Sequence, residues 1–304
     1  MDFQRDQYKL SKKFSFTLTI LYTFIGIIFA VMIGIVFSVI IYYLRLRIIE
    51  LCLFIAAAGI LHIISKKLAR LAKVRNNIIN FLMCFTMCFF TFYTIICGFE
   101  YGLLSFEFES FWRLLVSPKM VIEIMLDFIL PYFYIIIFDP ILIPSIVSFY
   151  IACIILALDV IIIFLPAFFA FKINDYYCED CQKWYKKYQF LSPSTDKLQF
   201  ELTKSYTVSY ANALANLPFY TPFLLFGLSE RANVIMNNPN ILIYDYCQCL
   251  SCKRNSILSI KKAILKRGKK YFFADKVPNP ILVKNVYIDE QTDLFFTIKK
   301  QALY

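Results

Sequence analysis

Two cysteine clusters stand out in this chain, "YYCEDCQKWY" from residue 176 and "YCQCLSC" at 246–252. Each holds a Cys-x-x-Cys pair, Cys178 with Cys181 and Cys249 with Cys252. At this spacing a tight turn aims two thiolates at one point, so two such turns supply the four sulfurs of a tetrahedral zinc site. Four thiolates leave no open position, which makes the expected Zn2+ structural; a catalytic zinc keeps a place for water or substrate. The 67 residues between Cys181 and Cys249 exceed the ~15–20 of a compact ribbon. Loop entropy grows only logarithmically, so the insertion costs little. Cys247 is a fifth thiol, on the same face of an extended chain as Cys249, and could replace a neighbour as ligand.

Disulfides in an oxidising compartment, or a thiol redox site using Cys178 and Cys181, are the alternatives. Five tail cysteines leave one over for a disulfide frame. A thioredoxin-like site needs one Cys-x-x-Cys opening a helix within a βαβ unit. Here the second cluster sits between strand-like flanks, "NILIYDY" and "NSILSI", which favours zinc.

Three other groups could carry chemistry. Asp159 lies in the apolar "ALDVIII", and an intramembrane carboxylate is costly enough to suggest a proton or ion path or a polar packing contact. Cys84 and Cys88, four residues apart, could chelate a metal but read as small packing groups. His62, the single histidine, has no second histidine nearby and reads as a packed or interfacial residue.

The elements that must position these groups are mostly membrane helices. Composition is 60% hydrophobic and 18% aromatic, with mean hydropathy +0.64, far from the globular mix. A spanning helix needs ~20 apolar residues, and runs at 14–44, 48–65, 78–104 and 145–171 qualify or nearly so. The first is too long for a cleavable signal peptide and reads as a retained anchor. Residues 118–144 are apolar but broken by Asp127, Pro131, Asp139, Pro140 and Pro144. Proline interrupts a helix, so this stretch is expected to be interfacial or re-entrant; if it crossed, the count would become five. The acids Glu100, Glu107 and Glu109 follow the third run without a cation. Basic stretches at 5–13 and 66–75 should both be cytoplasmic, and an even count puts both termini there.

The fold class is therefore membrane α-helical, about four transmembrane helices in residues 1–171, plus a small α+β zinc-ribbon-like C-terminal domain at 172–304. Net charge is +11, with 19 Lys and Arg against 11 Asp and Glu after residue 171. "KKAILKRGKK" at 261–270 holds six cations and no acid. Contact with anionic lipid, or a solvated turn between strands, fits it better than nucleic acid. "YFFADK", "PILVKNVYID" and "LFFTIKK" read as strands, 195–217 as mostly helix, and 218–228 as too short to span.

Several spans, an acid in the last of them, "YYCEDCQKWY" with Trp184, a long insertion, "YCQCLSC" and "PILVKNVYIDEQT" together resemble uncharacterised bacterial multi-span membrane proteins with a cytoplasmic zinc-ribbon-like tail. The resemblance covers about residues 66–298, with Asp159 where a Glu is expected. It implies the bacterial inner membrane and supports the topology and zinc; it implies no activity.

No Walker loop, dinucleotide fingerprint, Ser/His/Asp set or H-E-x-x-H helix occurs. The sequence thus predicts a non-enzymatic membrane protein whose zinc-stapled domain binds a protein partner or organises an assembly. A transporter or channel using Asp159, and a membrane thiol oxidoreductase, are the alternatives.

Overall fold

The computed structural model describes residues 7–44, 47–103, 108–126, 145–173, 175–194, 198–199, 202, 210–215, 217–220, 240–253, 255–267, 272–275 and 280–303. The chain forms two compact units: Ser11–Asn174, and a second made of the N-terminal residues up to Leu10 with Asp175–Tyr304.

The helical unit contains α1 (Phe16–Leu44), α2 (Arg47–Leu71), α3 (Asn77–Leu103), α4 (Phe108–Val116), α5 (Pro118–Ile124) and α6 (Ser145–Ala170). Four stretches, Phe16–Tyr43, Leu51–Leu71, Asn77–Gly102 and Cys153–Ala170, are long and apolar enough to cross a membrane. α1 has no charged residue, and Phe16, Phe24 and Met32 point outward as readily as Ala30 points inward. A helix apolar all round belongs in lipid or a core.

α3 is the central element, packed by α1, α2, α4, α5 and α6. Its start is capped by Asn76, whose Oδ1 accepts the N–H of Ile78 at 2.9 Å, satisfying a donor that the first turn leaves free. Close approach to α1 rests on small residues: a Cβ at Gly34 would lie 2.6 Å from Thr94 Cβ, and one at Gly98 would run into Ser38. The Thr91 hydroxyl donates to Ala30 O at 3.1 Å across the same seam. Such contacts bind helices where lipid is as apolar as the side chains. Cys84 and Cys88, both fully buried, belong to the cluster with Ile163 and Ala167 of α6.

The second helix does not stop at residue 65. It continues to Leu71 through Lys66, Lys67 and Arg70, because Ala, Leu, Lys and Arg are strong helix formers and Leu68 and Ala69 are buried. Of the 118–144 segment, α5 opens with Pro118 at its first turn, where proline is tolerated. Residues 127–144 lie outside the described residues, as do 268–270 of the basic stretch, 221–228 of the apolar one and most of 195–217.

In the other unit, β3 (Lys186–Pro193), β4 (Asn240–Gln248), β5 (Ile257–Arg267) and β6 (Phe272–Asp275) follow one another in an antiparallel sheet, and β7 (Ile281–Tyr287) also pairs with β5. The short strands β1 (Tyr177–Cys178) and β2 (Lys183–Trp184) form a separate hairpin. α7 (Tyr210–Leu214) and α8 (Glu290–Leu303) complete the described elements. Phe190, Tyr244 and Tyr246 on one sheet face pack around Phe296 of α8, with the Tyr246 and Phe296 rings stacked at 5.2 Å. β4 is buried on both faces, and its opposite face carries Asp245, which is 4% exposed.

"LFFTIKK" is helix, not strand. Asp289 accepts from the N–H of Thr292 at 3.3 Å, Glu290 and Asp293 occupy the first turn, where acids complement the helix dipole, and Phe296 turns to the core. The basic stretch from Lys261 to Arg267 is the second half of β5, not a turn. Residues 7–10, which the sequence groups with the membrane helices, join the sheet unit. Gln7 bridges Val286, Tyr8 donates its N–H to Asn285 O at 2.8 Å, and the Tyr8 hydroxyl accepts the N–H of Tyr177 at 3.0 Å.

Candidate metal centre

The β1–β2 hairpin pairs Cys178 with Lys183, so Cys178 to Gln182 make the turn that returns the chain. The other cluster forms where β4 leaves the sheet and turns toward β5. In both turns the residue after the second cysteine adopts the left-handed conformation: Gln182 has φ 51° and Lys253 φ 53°. A non-glycine residue in this region costs about 1–2 kcal/mol, and the same cost arises at the same place twice. Left-handed closure folds each turn so that backbone N–H groups face the first thiol. The N–H of Cys181 reaches Cys178, and those of Ser251 and Cys252 reach Cys249. Lys253 N–H donates to Cys249 O at 3.0 Å, closing the second turn.

The two turns bring Cys178, Cys181, Cys249 and Cys252 together, with all four Sγ atoms within 4.8 Å of one another. Cys178 and Cys252 are 3.7 Å apart, and none of the ten cysteines forms a disulfide. Zinc–sulfur bonds of about 2.3 Å in a tetrahedron separate sulfurs by about 3.8 Å. The donor set thus fits a zinc-sized cation in type, number and spacing.

Electrostatics treats the four thiols unequally. Burial works against the Cys249 thiolate, but the N–H groups of Cys252 and Ser251, with the Cys252 and Cys178 thiols, outweigh it and bring the group down to about 7. Cys181, next to the Cys252 thiol and partly desolvated, is pushed up to about 12. Burial also raises Cys178. One thiolate forms readily and each further one is opposed by the first, which is the situation a bound cation relieves.

Cys247 does not join the cluster. It is 1% exposed and pushed up to about 12 by burial, a packed thiol on the Asp245 side of β4. Asp159 is 4% exposed in α6 and engaged within the fold. His62 is half-buried, with its ring edge-on to Phe169 at 6.2 Å. Sequence reasoning missed the left-handed residues, since Gln and Lys give no sign of positive φ, and it treated Glu100 as the start of an acidic stretch. Glu100 is instead fully buried in α3, and no local pattern in the sequence marks it.

Among the described residues, these features are four helices long and apolar enough to cross a membrane and a sheet unit bearing a tetracysteine cluster that could hold a metal ion. The chain matches no protein family, no curated protein and no solved structure.

Proposed function

We propose that this is a non-enzymatic integral membrane protein whose ribbon-like sheet domain is stapled by Zn2+ on Cys178, Cys181, Cys249 and Cys252 and serves partner binding or assembly. The convergence of four sulfurs from two matched turns carries the reading. A closed tetrathiolate site stabilises a fold and offers no position for substrate. Small domains with thin cores commonly depend on such staples.

An even number of crossings is supported by the N-terminal residues: 7–10 belong to the same compact unit as the chain from Asp175 onward, as expected of a chain that leaves and returns to one side. Cytoplasmic placement of that side follows from the reduced thiolates that zinc requires and from the basic segments at 5–13 and 66–75. Lys186 and Lys300 stand over the Tyr188 ring at 5.3 and 4.7 Å, a paired cationic feature suited to anionic lipid headgroups.

Elemental analysis of the detergent-purified protein tests the staple. About one zinc per chain, lost in both Cys178→Ser and Cys249→Ser, is expected. Absence of zinc together with oxidised thiols would overturn the reading in favour of a redox site. Burial of Asp159 favours a second reading, transport through the helical unit, in which Asp159→Asn abolishes flux and leaves the sheet domain folded.

A further inference from the structure

Glu100 differs from every other buried acid described. It lies near the C-terminal end of α3, is 0% exposed, and neither carboxyl oxygen has a hydrogen-bond partner among the described residues. Asp245 in the sheet unit, buried to a similar degree, has two lysines. An ionised carboxylate sealed away without a partner is far costlier than its neutral acid, and intramembrane acids mark proton or ion paths.

The surroundings of Glu100 decide what it can bind. Tyr93, Cys97 and Glu100 follow one another at helical spacing on one face of α3. Cys97 clusters with Leu114 of α4 and Val121 of α5. The Tyr93 hydroxyl is committed to Leu114 O and Leu115 O, at 2.8 and 3.2 Å. A metal cation would need several further oxygens around the carboxylate, and the described neighbours on this face are the Tyr93 phenol, already bonded to backbone, a thiol and apolar groups.

Among the described side chains, no charged group on a packed element hydrogen-bonds to it. α1 has none, α4 offers the exposed Arg113, and α5 the Lys119–Glu123 pair, whose members are 88% and 58% exposed. Asp159 of α6 has the same sign. On α2, Lys66, Lys67 and Arg70 lie in its last two turns, at the end that packs on the start of α3 and not on the Glu100 end, and no described group hydrogen-bonds to Glu100.

We propose that Glu100 is a proton-binding site of the helical unit, carrying a neutral carboxylic acid between α3 and the α4–α5 pair. The inference is independent of the zinc staple. It assigns the helical unit a group that can take up and release a proton, in addition to Asp159, which is already engaged.

Carbodiimide labelling of the full-length protein tests this. Dicyclohexylcarbodiimide partitions into apolar surroundings, where the O–H of a neutral carboxylic acid adds across its C=N bond with no leaving group; rearrangement gives a stable N-acylurea. Peptide mass spectrometry should find that adduct on Glu100 in the wild type. A water-soluble carbodiimide should leave Glu100 unmodified while labelling exposed acids such as Glu123. Glu100→Gln should lose the adduct, and because the principal reading is made on the wild type, poor folding of the variant does not affect it. The proposal is overturned if Glu100 stays unlabelled while Asp159 reacts, if both reagents label Glu100 equally, or if Na+ or Ca2+ at constant pH protects it, which would mark a cation site.

Discussion

The two units handle buried polar groups in opposite ways. In the sheet unit Asp245 receives Lys187 at 3.0 Å, Lys261 at 2.7 Å and the Gln189 amide at 3.0 Å, each from a neighbouring strand. Tyr244 and Tyr246, buried against Phe296, place their hydroxyls on Ser192 at 2.9 Å and Asp293 at 2.6 Å. In the helical unit, hydroxyls mostly bond back to their own helix, as Thr94 does to Phe90 O at 2.7 Å, and the Glu100 oxygens have no partner among the described residues. Neighbouring strands present side chains side by side about every 5 Å, so a buried charge finds partners. Helices satisfy their own backbones and meet through small apolar residues, so a buried acid such as Glu100 can be left without a hydrogen-bond partner. The unpartnered group in the second setting is the more informative.

Removal of metal should separate the units most sharply. On the proposed reading, a strong chelator unfolds the sheet unit, at a loss of on the order of 10 kcal/mol of metal-derived stability, while far-UV circular dichroism retains the helical signal. Loss of helix in step with the sheet would show that the units are not independent.

Phe296→Ala should cost the sheet unit about 3–5 kcal/mol, because its ring is fully buried among Phe190, Tyr244 and Tyr246. Denaturant unfolding followed by near-ultraviolet tyrosine signals measures it.

The seam between α1 and α3 offers the corresponding test in the helical unit. Gly34→Val forces a branched side chain against Thr94, and overpacking of this kind costs about 1–3 kcal/mol. Thermal unfolding in detergent should shift downward; an unchanged midpoint would mean that the helices are free to separate there.

A smaller effect is expected at Asp245. Burial opposes its ionisation, but Lys261 and Lys187 outweigh burial and hold the carboxyl below its usual range. A depressed folded-state value stabilises the fold above about pH 4 and is lost as pH falls through that value. Asp245→Asn should therefore destabilise by about 1–2 kcal/mol at neutral pH, the lysines being partly exposed and screened. The difference from wild type should vanish in acid.

The smallest change is a gain. Lys253→Gly removes the cost of positive φ, and after the entropy of glycine is subtracted, it should stabilise by at most about 1 kcal/mol. Gln182→Gly should behave alike if the two turns are equivalent; a loss in either would show that its side chain matters more than its backbone.

The sequence by itself determined the four apolar helices to within a few residues at most ends, because length and hydropathy suffice where lipid is the solvent. It also determined the four cysteines to compare, since Cys-x-x-Cys spacing is a local property of one turn. What only the tertiary structure decided was long-range. Cys178 meets Cys252 across 74 positions, residues 7–8 reach Val286 and Tyr177, and "LFFTIKK" becomes helix because Asp289 caps it and Phe296 finds the sheet. Cys247 and Glu100 were visible as letters, but burial and partners arise from neighbours brought together by folding, and no local pattern records them.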